Sequence, residues 1–217
     1  MDSKLKIFTL EEIAKHFPLI ILDTCGIGIR REESRSEDRK VLSKYFASIN
    51  VIRDFIQEEK NLYVTSKILK EIIPDEKIEP NLDLKKCYKG IKKRKGFLGC
   101  DEHTNHMKRF KKRISYPAKL AKDLLKFNRI IDFTNSQYYS PLQEAYLNIQ
   151  KKYKLSNADY DILIHSILLS NIQPTAIISN DGGILRGYQE LKKDNCISKN
   201  NLSFFFHHSI KKFKRIF

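Results

Sequence analysis

The sequence has few cysteines and no long apolar run, and both shortages narrow the class of protein. None of its apolar runs reaches the roughly 18 residues that a membrane-spanning helix needs. Its four cysteines, at positions 25, 87, 100 and 196, have a spacing that fits no disulfide framework. The first 17 residues mix charged and apolar side chains and lack the apolar core of a secretory signal. We therefore expect a cytoplasmic protein with reduced thiols and no membrane partner.

Acidic residues are also in short supply, with 26 Asp or Glu against 41 Lys or Arg, which gives a net charge of +15. Fifteen basic residues and only three acidic ones lie between Lys85 and Lys126, and four more basic residues lie between Lys211 and Arg215. The rest of the chain is close to neutral. Dense basic segments bind polyanions, most often nucleic acid, because binding releases counterions. A solvated surface without a partner is the alternative interpretation.

The spacing of apolar residues predicts strands that alternate with helices. The predicted strands cover 19–23, 61–65, 175–181 and 202–206, the last at an edge of the sheet. The predicted helices cover 10–17, 41–59, 66–73, 141–153 and 155–170, and one more begins at 183. This alternation predicts an α/β fold, a three-layer α/β/α arrangement around a central, mostly parallel sheet. We predict one domain over 1–217 with a basic, helical insertion over 80–135.

Five acidic residues stand at special places in this pattern. Two buried strands end on a carboxylate, at Asp23 and Asp181, and Glu71 lies in the helix that follows the second strand. Asp159 and Asp161 lie near the start of a later helix. Because ligands bind at the carboxyl ends of parallel strands, we expect these acids to share one pocket. A hard cation would relieve their repulsion, and ligation by oxygen alone favours Mg²⁺ or Mn²⁺.

Each acid taken alone has an ordinary structural explanation. Asp23 and Asp181 could cap the helices that follow them, and Asp159 could interact with the dipole of its own helix. Glu71 could be a surface residue, since glutamate is mostly exposed. Only the coincidence of all these positions favours a shared site.

Four short motifs that contain these acids, in this order, resemble the PIN-domain ribonucleases. The motifs are IILDT, TSKILKEI, LSNADYDILI and IISND, and the resemblance covers residues 18–73 and 137–206. It implies a PIN-like fold and a Mg²⁺- or Mn²⁺-dependent endoribonuclease that hydrolyses RNA phosphodiester bonds. Each motif is weak by itself, and their common order makes the resemblance specific.

The resemblance also implies roles for individual residues. The metal-binding and catalytic acids would be Asp23, Glu71, Asp159 and Asp181, while Asp161 would either help a second metal or face solvent. The residues Thr24, Ser179 and Asn180 would lie next to the acids and contact the substrate. The pair of glycines after Asp181 departs from the family pattern, in which a polar or charged residue is commoner, and we expect it to loosen that loop.

The basic segment would bind the RNA backbone. The residues with this expected role are Lys92, Lys93, Arg94, Lys95, Lys108, Arg109, Lys111, Lys112 and Arg113. Three tyrosines in or near the segment, Tyr88, Tyr138 and Tyr139, either stack on bases or pack in the core. Assembly as a homodimer or with a partner protein stays open.

Other functions remain as alternatives. The same fold without a productive metal would be a catalytically inactive, PIN-like RNA-binding adaptor, and a ribonuclease toxin of a toxin–antitoxin pair is a further alternative. Zinc could bind Cys87, Cys100, His103 and His106, but their spacing fits no standard zinc pattern. A phosphoaspartyl enzyme would need a second acid two residues after Asp23, where Cys25 stands.

Overall fold

A computed structural model describes residues 7–24, 39–58, 61–72, 116–193, 201–209 and 212–216. The strands are β1 (Ile7–Phe8), β2 (Leu19–Leu22), β3 (Leu62–Thr65), β4 (Ile130–Ile131), β5 (Thr175–Ile178), β6 (Leu202–Ser209) and β7 (Lys212–Ile216). The helices are α1 (Leu10–His16), α2 (Arg39–Gln57), α3 (Ser66–Ile72), α4 (116–126), α5 (Tyr139–Ala145), α6 (Leu147–Tyr153), α7 (Asn157–Ser170) and α8 (Gly182–Leu191).

The strands form one sheet in the order β1-β7-β6-β5-β2-β3-β4. The five strands from β6 to β4 run parallel, whereas β7 pairs antiparallel with both β6 and β1. All four residues of β2 and of β5 are buried, as expected for parallel strands that are covered on both faces. The predicted α/β class and the mostly parallel sheet are confirmed, and the arrangement is consistent with three layers.

The strand order reverses between β2 and β5, and this reversal places the helices. Right-handed crossovers put α2 and α4 on one face of such a sheet and α7 and α8 on the other. Helix α7 contacts β2, β3, β5 and β6, and it also contacts α3, α5 and α8. It is apolar almost all round, and eleven of its residues are buried, which suits a helix at the centre of a layer.

On the opposite face, helix α2 is amphipathic and is joined to α4 by specific contacts. Its residues Ile49 and Ile52 are buried in the core. Arg53 Nε donates a hydrogen bond of 2.6 Å to Asp123 Oδ2 of α4. The rings of Phe46 and Tyr116 lie with their centroids 4.6 Å apart. Among the described residues, no helix is long and apolar enough to cross a membrane.

Two predictions about individual elements were wrong. The strand at 202–206 is not an edge strand, because β6 lies between β5 and β7. Strand β7, which covers the outer side of β6, is not predicted from the sequence, because Lys and Arg dominate its pattern. Phe213 of this strand is nevertheless buried. The helix predicted over 141–153 is two helices, with the break at Tyr146, whose backbone closes α5 and opens α6.

The predicted basic insertion lies partly within the described residues. From 116 onward it contains α4 and β4, and β4 pairs with β3 so that Ile130 lies beside Val64. This part therefore belongs to the layers of the fold. The remainder, 80–115, lies outside the described residues, and so the boundaries of the insertion and of the single domain stay predictions.

Candidate functional site

The site lies where strands β2 and β5 end side by side. Asp23 follows β2 directly, its side chain is 1% exposed, and its backbone N–H donates to Ile178 O at 3.0 Å. Ile178 is the last residue of β5, and Ser179, Asn180 and Asp181 follow it. In open α/β sheets, ligands bind in the crevice outside the carboxyl ends of the strands where the strand order reverses. Asp23 and Asp181 flank this position.

The buried carboxylate of Asp23 accepts hydrogen bonds from two hydroxyl groups. Ser179 Oγ donates to Asp23 Oδ2 at 2.6 Å, and Thr24 Oγ1 donates to Asp23 Oδ1 at 3.3 Å. Ser179 is itself fully buried, and its Oγ accepts from the backbone N–H of Asp181 at 2.9 Å. These bonds offset part of the cost of burying a charge. They also join the end of β2 to the loop after β5 through one hydroxyl.

Asp181 caps helix α8. Its Oδ1 accepts from the backbone N–H of Gly183 at 2.6 Å and from that of Ile184 at 2.9 Å. A Cβ at Gly183 would lie 2.8 Å from this Oδ1 and 2.9 Å from Leu155 Cδ2, closer than real Cβ atoms approach. The second glycine of the pair therefore permits the cap and the packing behind it.

Asp159 is the third residue of α7 and takes part in a capping box. Its backbone N–H donates to Ser156 Oγ at 3.1 Å, and its Oδ2 accepts from the N–H of Ser156 at 3.2 Å. Burial raises the pKa of Asp159, the hydrogen bonds from Ser156 oppose that shift, and the charge of Asp181 raises the pKa further. The two carboxylates are therefore close enough to repel each other.

The structure gives Asp161 an internal role. It is fully buried, and its Oδ1 accepts from Lys67 Nζ at 2.9 Å and from the hydroxyl of Tyr139. Its Oδ2 lies 3.5 Å from His165 Nδ1, which instead bonds to the Asp161 backbone oxygen at 2.8 Å. The Asp161 carboxylate is thus neutralised by Lys67 and does not face solvent.

Glu71 lies on α3, after β3, and is exposed. Thr24 and Asn180 are half-buried beside the ends of β2 and β5, where the sequence predicts them. The predicted backbone-binding residues at 92–95 and 108–113 lie outside the described residues, as do Cys25, Tyr88 and the four candidate zinc ligands. Their roles stay predictions.

The residues at this edge carry the type of ligand atom that a hard cation prefers. The potential ligands are carboxylate oxygens, which Mg²⁺ and Mn²⁺ prefer. Burial is the main cause of the raised pKa of Asp159, and the charge of Asp181 raises it further, a repulsion that a cation would relieve. In the part of the chain that the structure describes, no group of three or more His, Cys, Asp or Glu is arranged to hold a metal ion. The donor chemistry therefore fits, and the described side chains do not form a complete coordination set.

Comparison with protein-family models, curated proteins and solved structures finds no match for this chain. The geometry of the site is therefore the main evidence on function. The resemblance to PIN-domain ribonucleases stays a prediction from the motifs.

A second polar cluster, missed by the sequence analysis, lies at the ends of β3 and β4. Lys67 Nζ contacts the Tyr139 hydroxyl at 3.3 Å as well as Asp161. Burial and the hydrogen bond to Asp161 raise the pKa of Tyr139. His165 Nε2 accepts from the N–H of Phe133 at 3.0 Å, so the ring proton is on Nδ1. Lys67 and Asp161 are 94 positions apart, and no local pattern connects the residues of this cluster.

Proposed function

We propose that this protein is a metal-dependent endoribonuclease of PIN type. The observation that carries the proposal is the bond from Ser179 to Asp23, which couples the ends of β2 and β5 where the strand order reverses. This is the crevice in which open α/β sheets bind their ligands. The charge of Asp181 also raises the pKa of Asp159, which supports the proposal that these two acids act together at this edge.

Asp23, Asp159 and Asp181 would hold the cation, with Glu71 of α3 as the fourth acid. When bound there, Mg²⁺ or Mn²⁺ stabilises the negative charge that develops when water attacks a phosphodiester. Ser179 fixes the orientation of the Asp23 carboxylate, because its hydroxyl donates to Oδ2 and is held by the Asp181 N–H. The cap on α8 uses Oδ1 of Asp181, so Oδ2 would be the oxygen that binds the cation.

The charge of the chain favours a nucleic acid as the substrate. The net charge is +15, and most of it lies in the segment from Lys85 to Lys126 and in the last residues of the chain. Such segments bind phosphate backbones through counterion release, independently of base sequence. A bound RNA strand would add negative charge beside the acids, and a divalent cation would offset the charge of both, so metal and RNA are expected to bind together.

A specific observation favours a second candidate, an RNA-binding adaptor of the same fold. Among the described residues no three potential ligands form a metal-binding group, and Asp23 and Asp181 already accept hydrogen bonds within the protein. In this alternative the acids are structural, and only the basic segments contact RNA.

Cleavage of end-labelled RNA in a Mn²⁺ titration separates these two functions. We expect cleavage by the unmodified protein and a loss of at least about 100-fold in Asp23→Asn, because the buried carboxylate is lost while its size is kept. Asp54→Asn on α2, an exposed acid on another element, is the matched control and should cleave normally. Equal activity of Asp23→Asn and the unmodified protein would refute the mechanism. RNA binding without cleavage at any Mn²⁺ concentration would favour the adaptor.

A further inference from the structure

The loop from 132 to 138, which joins β4 to α5, carries two exposed aromatic side chains. Phe133 is 36% exposed and Tyr138 is 63% exposed, and both belong to the few large apolar or aromatic residues on the described surface. The loop begins at the carboxyl end of β4, the same edge of the sheet as the acids. With neighbouring strands about 4.8 Å apart, β4 lies about 10 Å from β2 across the sheet.

This β4–α5 loop is held by its own hydrogen bonds. Asp132 Oδ1 accepts from the N–H of Thr134 at 3.1 Å and from its hydroxyl at 2.6 Å. The N–H of Ser136 donates to Phe133 O at 2.8 Å, and the N–H of Tyr138 donates to Ser136 Oγ at 3.3 Å. A loop fixed in this way loses little conformational entropy when a ligand binds to it.

Buried rings support the ring of Phe133 from behind. The Phe133 ring centroid lies 5.8 Å from that of His165, and the His165 centroid lies 5.2 Å from that of Tyr139. Lys67 Nζ lies 5.8 Å from the Tyr139 centroid, and its side chain is 32% exposed. Two of its three donors are used by Asp161 and Tyr139, which leaves one for a ligand. The supported ring of Phe133 and the exposed ring of Tyr138 thus belong to a fixed loop, and the ammonium group of Lys67 lies beside the neighbouring Tyr139.

We propose that Phe133 and Tyr138 form a base-stacking subsite for an unpaired nucleotide of the bound RNA strand. Aromatic rings accept any base, since every base has a π-face, and the chain has the positive charge that a polynucleotide requires. In this proposal Lys67, which contacts the neighbouring Tyr139, donates to a phosphate of the same strand. The subsite rests on the proposed function only in taking RNA as the ligand, because base stacking needs neither a metal nor cleavage.

The chain contains no tryptophan, which allows a direct test. Tyr138→Trp introduces a single tryptophan fluorophore into the subsite, and Ile172→Trp, at a 76% exposed position just before β5, introduces one at the opposite edge of the sheet. The probes are a single-stranded 12-nucleotide RNA and an abasic strand of the same length, both in EDTA. We expect the RNA to quench the Tyr138→Trp emission, with little quenching by the abasic strand and none in Ile172→Trp.

Affinity measurements provide the second arm of the test. Compared with the unmodified protein, the double variant Phe133→Ala with Tyr138→Ala should bind the RNA at least about tenfold more weakly. It should bind the abasic strand about equally well, because only stacking is removed. Ile172→Ala is the matched control, and the thermal unfolding midpoint of each variant verifies folding. Equal quenching by both strands, or unchanged RNA affinity of the double variant, would overturn the subsite. Because no arm depends on cleavage, a failure of the nuclease proposal would leave these results unaffected and recognisable.

Discussion

At the scale of single residues, two fully buried carboxylates are stabilised in different ways. Asp23 accepts from the hydroxyls of Ser179 and Thr24, and these hydroxyls stabilise the carboxylate without adding a positive charge. Asp161 accepts from the ammonium of Lys67, which cancels its charge. A carboxylate held by hydroxyl groups keeps the negative charge that the proposed cation would bind. A carboxylate paired with a lysine suits a residue that stabilises the fold.

Replacing Ser179 tests the first arrangement. We expect Ser179→Ala to lower the free energy of unfolding by about 1.5–3 kcal/mol, because a buried carboxylate loses a donor. Urea unfolding at pH 7 measures the change. Ser166→Ala is the matched control, since Ser166 is also fully buried but donates only to Leu163 O of its own helix, and it should cost about 1 kcal/mol or less. Equal costs for the two variants would contradict the account of Asp23.

Replacing Lys67 tests the second arrangement. Lys67→Met should destabilise the protein by about 2–4 kcal/mol, because Asp161 would be left as an uncompensated buried charge. Partial exposure of Lys67 and the remaining bond from Tyr139 place the expected cost toward the lower end. Lys70→Met, an exposed lysine on the same helix, should change stability by less than about 0.5 kcal/mol.

A rescue completes this experiment. Adding Asp161→Asn to Lys67→Met removes the uncompensated charge, so part of the lost stability should return in urea unfolding at the same pH. No recovery would mean that Lys67 stabilises the fold through packing instead of charge.

The sequence predicts some of these residue roles and misses others for physical reasons. A buried strand that ends on Asp23 requires a partner, and Ser179 was among the residues predicted to lie beside it. The sequence predicts that Asp161 helps a metal or faces solvent. Its internal role is missed because its partners Lys67 and Tyr139 come from distant elements. Helix α7 is apolar nearly all round, so its pattern does not indicate that Asp161 is on a buried face that contacts Lys67.

At the scale of elements, two of the predicted acids also take part in capping helices. Asp159 belongs to the capping box of α7 and Asp181 caps α8, and both positions favour a carboxylate near a helix N-terminus. The two helix starts lie close together, so the caps repel each other. The fold thus retains an unfavourable interaction at the proposed site, as is common where residues are selected for function.

The raised pKa of Asp159 and the lowered pKa of Asp132 predict opposite pH effects for these two acids. The pKa of Asp159 is raised by burial, so its ionised form destabilises the fold, a penalty that is absent below about pH 4 and complete above the raised pKa. Asp159→Asn should therefore stabilise the protein at pH 7, and the difference should disappear as the pH falls below about 4. Thermal unfolding of Asp159→Asn and of the unmodified protein, from pH 7 to below about pH 4, measures this difference in stability.

Asp132 is the control of opposite sign. Hydrogen bonds from Thr134 lower the pKa of Asp132, so its ionised form stabilises the fold above about pH 4, and this stability is lost as the pH falls through the lowered pKa. Asp132→Asn should destabilise the protein slightly at pH 7, since this carboxylate is exposed. A change of the same sign in both variants would contradict the opposite pKa shifts of Asp159 and Asp132.

The elements that the sequence predicts are those with long, regular apolar patterns. Strands β2, β3 and β5 follow from apolar runs, and α7 follows from its length and its Ser156 cap. Strands β1 and β4 have two residues each, too few for any alternation to show. Pairing across the sheet, which no local pattern encodes, makes them strands.

At the scale of the whole molecule, a near-neutral α/β body is joined to strongly basic segments. The acids lie at the carboxyl edge of the sheet, and the exposed aromatic loop lies at the same edge. Part of the basic tail is built into the fold as β7, whose Arg215 donates to Ser203 of β6 at 2.8 Å. The four basic residues near the end of the chain are therefore not all available to bind RNA.

The central claim is that the acids at the ends of β2 and β5 hold a divalent cation. Anomalous diffraction from crystals soaked in Mn²⁺ tests it most directly, with crystals of Asp23→Asn as the control. The account predicts a manganese peak within bonding distance of carboxylate oxygens of Asp23, Asp159 and Asp181, and its loss or weakening in Asp23→Asn. Crystals with no manganese at this edge, or with manganese bound only elsewhere, would contradict it.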